Sequence, residues 1–120
     1  MKEKTKVNVF GEEKETWLDI KDLIDLEDAL GKSSTEIFQE YLKTDLSVKD
    51  IRSAMPVVLR HAYPDANPQE ILAKFDETID SGKSSIFPFQ TAIGMSIVQT
   101  GIFGRRNNQG EEEAPAAVEK

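Results

Sequence analysis

The sequence contains no cysteine, and among its 120 residues there is a single histidine, His61. Without cysteine the protein forms no disulfide and offers no thiolate to a metal or a substrate. One histidine excludes a multi-histidine metal site and a catalytic base supported by a second imidazole. No G-x-S-x-G pattern places a serine as a nucleophile. These absences predict that the protein is not an enzyme and holds no metal or cofactor.

Positive charge is also scarce, because 15 lysines and arginines stand against 22 aspartates and glutamates and give a net charge of −7. Nucleic-acid binding needs clustered basic side chains to neutralise phosphates, so we expect no nucleic-acid partner. The lysine-rich start, Met1–Lys6, leads into no apolar segment of the kind found in secretory signals. We therefore expect an intracellular protein.

Two triplets resemble the end of a phosphate-binding loop, Gly31-Lys32-Ser33 and Gly82-Lys83-Ser84. The full motif needs a further glycine five residues before its last one, at positions that here hold Leu26 and Glu77. It also needs a preceding strand, whereas a helical pattern precedes each triplet. We interpret both triplets as the end of one helix followed by the cap of the next, and we expect no nucleotide site.

An acidic run, Asp19–Asp28, repeats aspartate every third residue, at Asp19, Asp22, Asp25 and Asp28. Such a run suggests a metal site or an acid–base pair, but a three-residue step rotates around a helix and does not converge on one point. Aspartate near a helix start is also favoured by the helix dipole. We interpret the run as a solvated face, and His61 as a partner for a helix C-terminus.

The periodicity predicts a mainly α fold, in which a short N-terminal β-hairpin precedes about five helices. The hairpin strands are expected at Lys6–Phe10 and Glu15–Ile20. Helix-start signals stand at Ser33, Ser47 and Asn67, and Phe87–Pro88 opens the last helix. Pro56 is expected to kink or split the third helix near Ala54–Met55. We predict one small domain, 1–104, and a disordered acidic tail, 105–120.

The stretch Ser84–Gly104 contains no charged residue. Its serines, threonines and glutamines would be costly in lipid, so we expect no membrane span. On a helix its apolar residues cover much of the circumference, which is typical either of a buried helix or of one with a second face for a partner. Phe89, Ile93 and Ile97 are expected in the core. The predicted partner-binding residues are Phe87, Phe89, Met95, Val98, Ile102 and Phe103.

The order of these elements resembles the small tail assembly chaperones of long-tailed bacteriophages and prophages, over about residues 6–104. The likeness is one of layout and pattern. It is carried by KVNVFGEEKETWLDI, LEDALGKS, IFQEYLK, LRHAYP and NPQEILAKFDETIDSG, followed by the apolar C-terminal segment.

The resemblance implies a non-enzymatic protein of the host cytoplasm that binds the tape measure protein while the tail is assembled. The tail tube protein and a second copy of the same protein are further expected partners. Two other functions stay open at this stage. One is a structural head–tail connector or tail completion protein, and the other is an acidic regulator whose Asp19–Asp28 face binds a basic surface on a host or phage protein.

Overall fold

The computed structural model describes residues 3–104, in which a β-hairpin precedes five helices. The predicted fold, mainly α with a small β part, is confirmed. The predicted acidic tail, 105–120, lies outside the described residues. The elements are β1 (Thr5–Val7), β2 (Lys14–Thr16), α1 (Ile20–Leu30), α2 (Ser34–Leu42), α3 (Val48–Val58), α4 (Pro68–Asp80) and α5 (Phe87–Gln99).

The hairpin is antiparallel, with Thr5 opposite Thr16, but both strands are shorter than the sequence predicts. The backbone leaves the ladder early because Val9 and Leu18 turn into the core, where they are 2% and 1% exposed. Beyond Leu18, Asp19 already caps α1. The Thr16 hydroxyl donates to the Val58 carbonyl at 2.7 Å and thereby fastens the hairpin to the end of α3.

Side-chain caps begin α1 to α4 as helix chemistry requires. Asn67 and Glu70 form the predicted reciprocal capping box on α4. Ser33 and Ser47 accept from the third backbone N–H of their helices, as predicted. The Asp50 carboxylate, at the third position of α3, accepts from Lys32 Nζ at 2.6 Å.

Helix α3 is the centre of the fold, with α1, α4 and α5 packed against it. Its residues Ile51, Met55 and Val58 are fully buried. The helix continues through Pro56 to Val58, so the predicted alternative of a split near Ala54–Met55 is wrong. Pro56 lacks the N–H that would donate to the Arg52 carbonyl, and the helix ends two residues later, at Val58.

Helix α5 begins at Phe87, as predicted, and packs against α2, α3 and β1. Its core residues Phe89, Ile93 and Ile97 are fully buried, which confirms their predicted place. A Cβ at Gly94 would overlap the ring of Tyr41, so the approach of α2 to α5 requires glycine at this position. Within residues 3–104, the structure contains no helix whose length and apolar character suffice to cross a bilayer.

Candidate functional site

Three of the predicted partner-binding residues are exposed together at the C-terminal end of α5. Val98, Ile102 and Phe103 are 39%, 45% and 46% exposed. Met95 lies one turn before Val98 on the same side of the helix and is half-buried. The expected division of this segment into a buried face and an exposed face is therefore observed.

Phe89 is a correction, because the structure places it in the core and not on a partner-binding surface. It is fully buried, and its ring meets that of Phe75 edge-on at a centroid distance of 4.8 Å. Phe87 is 58% exposed but lies at the opposite end of α5. At about 1.5 Å of rise per residue, it is about 16 Å along the axis from Val98. Phe87 is therefore not part of the surface formed by Val98, Ile102 and Phe103.

Helix α2 contributes two residues that the sequence analysis did not assign to partner binding. The ring of Phe38 lies 5.2 Å from that of Phe103, and Leu42, one helical turn after Phe38, is 64% exposed. The spacing of Phe38 and Leu42 was the available signal, since residues four apart share a face. We call the set Phe38, Leu42, Val98, Ile102 and Phe103 the α2–α5 surface.

Hydrogen bonds fix the turn that presents the end of this surface. The Thr100 hydroxyl donates to the Ile97 carbonyl at 2.6 Å and accepts from the Ile102 N–H at 3.0 Å. Gly101 adopts a left-handed conformation with φ of 78°, which glycine adopts without steric cost. The apolar side chains that follow are therefore held by an ordered turn.

The chemistry of the α2–α5 surface is apolar contact. Burying apolar area yields about 25 cal/mol per Å², so a partner that covers these side chains gains several kcal/mol before its own ordering costs. The stretch from Ser84 to Gly104 adds no charge that would have to be desolvated. Such patches mark protein interaction sites.

The acidic run forms a second feature, in which Asp22 is only 3% exposed. Arg60 Nη1 donates to Asp22 Oδ1 and to Asp25 Oδ2, each at 2.9 Å. The hydrogen bond from Arg60 is the main reason that the pKa of Asp25 lies below its usual value. The solvated-face interpretation is therefore wrong for Asp22, whereas Asp28 is exposed as expected.

The only histidine belongs to the same cluster. His61 Nε2 lies 2.8 Å from Asp22 Oδ2, and its ring stacks on Trp17 at 4.3 Å with an interplanar angle of 10°. Potential ligand atoms of Asp19, Asp22 and His61 lie within 4.8 Å of one another. However, the Asp22 oxygens already contact the Arg60 guanidinium, the His61 ring and the Asp19 N–H. The cluster is an ion-pair network that joins α1 to the end of α3.

Comparisons with known proteins do not assign a family to this protein. A scan against protein-family models found no match, and searches among curated proteins and solved structures found no significant match. The case for function therefore depends on the α2–α5 surface and its surroundings.

Proposed function

We propose that the protein is a non-enzymatic binding protein whose α2–α5 surface covers an apolar segment of another protein. The observation that supports this proposal is the exposure of Leu42 on α2 and of Val98, Ile102 and Phe103 at the end of α5. Packing in the core does not explain these side chains, since Phe89, Ile93 and Ile97 already fill the inner face of α5. The exposed set remains available to a partner.

The specific role proposed is that of a tail assembly chaperone, which binds the tape measure protein in the host cytoplasm during phage tail morphogenesis. The order of hairpin and helices, which resembles that of this chaperone family, supports the role. The α2–α5 surface suits this role, because an aggregation-prone helical protein stays soluble when another protein covers its apolar side chains. The net charge of −7 favours solubility of the resulting complex.

Co-expression with a tape measure protein tests this proposal. We expect the wild-type protein to keep the tape measure protein in the soluble fraction and to co-purify with it. Phe103→Glu should lower the recovered complex by at least about tenfold, because a charge would have to be buried against apolar surface. The melting temperature should remain within a few degrees, since Phe103 is 46% exposed.

Phe87→Glu is the matched control, because it introduces the same charge at an exposed phenylalanine at the other end of α5. We expect this variant to keep full recovery of the complex. Equal loss in Phe87→Glu and Phe103→Glu would contradict a role specific to the α2–α5 surface. Recovery of a portal or tube protein in place of the tape measure protein would favour the connector function.

One observation favours the acidic regulator as a second candidate function. Ile20 and Ile24 lie one turn apart on α1 and are 63% and 51% exposed, and Asp28 continues the same face. An apolar pair followed by a carboxylate suits a partner surface that is both apolar and basic. Ile24→Lys should abolish binding in this case and should leave binding unchanged if the α2–α5 surface is the one used.

A further inference from the structure

A pocket of about 370 Å³ lies between the hairpin, the connection from α3 to α4, and the first turns of α4. This volume is at the lower end of the range for pockets that bind small molecules or single side chains. Residues that line it include Phe10, Lys14, Tyr63, Ile71 and Lys74, and none of them belongs to the α2–α5 surface. The pocket is therefore a separate candidate site.

The floor of the pocket is aromatic and apolar. The rings of Phe10 and Tyr63 lie 5.5 Å apart, tilted by 56°, and Ile71 beside them is 3% exposed. Such a floor is suited to an aromatic or branched aliphatic group.

Two lysines stand over this floor. Lys14 Nζ lies 5.3 Å from the centroid of the Tyr63 ring, and Lys74 Nζ lies 5.6 Å from that of Phe10. Among residues 3–104, neither ammonium group has a carboxylate at ion-pair distance. Both therefore retain the capacity to donate hydrogen bonds to an anion.

The hydroxyl of Tyr63 lies buried near the Glu12 carboxylate. Burial, and after it the negative charge of Glu12 and a hydrogen bond with its carboxylate, raise the pKa of Tyr63 to about 12. The hydroxyl thus stays protonated at neutral pH, and a bound carboxylate would compete with Glu12 for it.

Two carboxylates, Asp65 and Glu70, also line the pocket. Glu70 Oε1 accepts from the Asn67 N–H at 2.8 Å, and Asp65 and Glu12 are exposed. Neither lysine forms an ion pair with these groups, so the two ammonium groups keep donors for a ligand, although the net charge of the protein is −7.

We propose that this pocket binds a carboxylate carried on an apolar group. The apolar part lies on the Phe10–Tyr63 floor, and the carboxylate accepts hydrogen bonds from Lys14 and Lys74. A peptide offers this chemistry in two ways, as a C-terminal carboxylate on an apolar last residue or as an acidic side chain beside an apolar one. The proposal is independent of the function proposed for the α2–α5 surface.

Chemical-shift titration of the full-length, ¹⁵N-labelled protein tests the proposal with two small probes. N-acetylphenylalanine carries the carboxylate, and N-acetylphenylalaninamide is its uncharged counterpart. We expect the acid to shift the amide signals of Tyr63, Ala66 and Lys74, and we expect the amide to bind at least about tenfold more weakly. Equal binding of both probes, or no shift at these positions with any probe, would overturn the proposal.

Variants separate the pocket from general attraction of anions. Lys74→Gln should weaken binding of the acid by about tenfold, since it removes one charged donor. Lys83→Gln removes an equal charge from an exposed lysine that pairs with Glu77, outside the pocket, and should leave binding unchanged. Equal weakening by both substitutions would contradict a built site. The amide spectrum of each variant reports whether it is folded.

A third probe distinguishes the two peptide sources. In an N-acetylated dipeptide amide of phenylalanine followed by glutamate, the only carboxylate is on a side chain. Tighter binding of this probe than of N-acetylphenylalanine assigns the pocket to an internal acidic segment. Tighter binding of N-acetylphenylalanine assigns it to the C-terminal carboxylate of a peptide. Both results support the pocket as a carboxylate site.

Discussion

Buried Asp22 is the residue that joins α1 to the end of α3. One of its oxygens accepts from Arg60, and the other accepts from the Asp19 N–H and contacts His61. Removal of one partner from such a network leaves the others without compensation for their lost hydration. The network therefore depends on this one carboxylate more than on any exposed member of the acidic run.

Asp22→Asn should lower the free energy of unfolding by about 1–3 kcal/mol, because the amide keeps the shape of the side chain but loses its charge toward Arg60. Asp28→Asn is the control and should change stability by less than about 0.5 kcal/mol, since Asp28 is exposed. Urea denaturation of both variants measures the difference. Equal effects would show that the Asp22 network does not stabilise the fold.

The raised pKa of Tyr63 makes the stability of the fold depend on pH in the alkaline range. A pKa raised to about 12 means that the folded state holds the phenolic proton more tightly than the unfolded state, where tyrosine titrates near about 10. The contribution of this difference to the free energy of unfolding is fully present below about pH 10 and is lost as the pH rises through about 12.

Tyr63→Phe should remove this alkaline component of the pH dependence. At neutral pH the variant should be about as stable as the wild type, because the loss of the interaction with Glu12 is offset by the removal of a buried hydroxyl. Unfolding free energies measured between about pH 9 and pH 12 provide the comparison. An unchanged decline in Tyr63→Phe would assign the alkaline loss to other groups.

At the scale of elements, the contact of α2 with α5 depends on Gly94 and Tyr41. Alanine normally stabilises a helix relative to glycine by about 1 kcal/mol. Here a Cβ would overlap the Tyr41 ring, and overpacking of this kind costs about 1–3 kcal/mol. The steric cost is expected to exceed the gain in helix propensity.

Gly94→Ala should therefore destabilise the wild-type protein and should stabilise a Tyr41→Ala variant, in which the ring is absent. Thermal melts of the two single variants and the double variant give this double-mutant cycle. The reversal of sign is the expected result. A stabilising effect of Gly94→Ala in the wild-type background would mean that the two helices do not approach as closely as described.

Element boundaries could be predicted wherever local chemistry decides them. Asn67 with Pro68 and Glu70 begins α4, and Gly31 ends α1 with φ of 68°, because caps and left-handed residues act over a few neighbouring positions. The hairpin ends could not be predicted in this way. Val9 leaves the strand ladder in order to fill the core, and that burial depends on helices distant in sequence.

The candidate site could be predicted in part for the same reason. Periodicity separates Ile97 from Val98, which the structure places in the core and at the surface, but it did not exclude Phe89 from the partner-binding set. Periodicity does not indicate that Phe38 meets Phe103, because that contact depends on how α2 packs on α5. Nor does periodicity reveal that Asp22, which belongs to an apparently solvated run, is buried and accepts a hydrogen bond from Arg60.

At the scale of the whole molecule, charge is segregated from the C-terminal segment, although exposed apolar residues also occur on α1, at Ile20 and Ile24. Ion pairs link the helices, as where Lys32 bridges Glu40 and Asp50 and where Arg52 forms two hydrogen bonds with Asp76. The stretch Ser84–Gly104, by contrast, contributes no charge and ends in exposed apolar residues. This segregation is the physical basis for the proposal that one end of the fold binds a partner.

Hydroxyl-radical footprinting of the complex with the co-purifying partner tests this claim most directly, because it reports which side chains a partner covers. Compared with the free protein, oxidation of Leu42 and Phe103 should fall several-fold. Oxidation of Phe87 should stay unchanged, although it is 58% exposed in the free protein. Protection of Phe87 or Ile24 with Leu42 and Phe103 unprotected would contradict the account and place the partner elsewhere on the molecule.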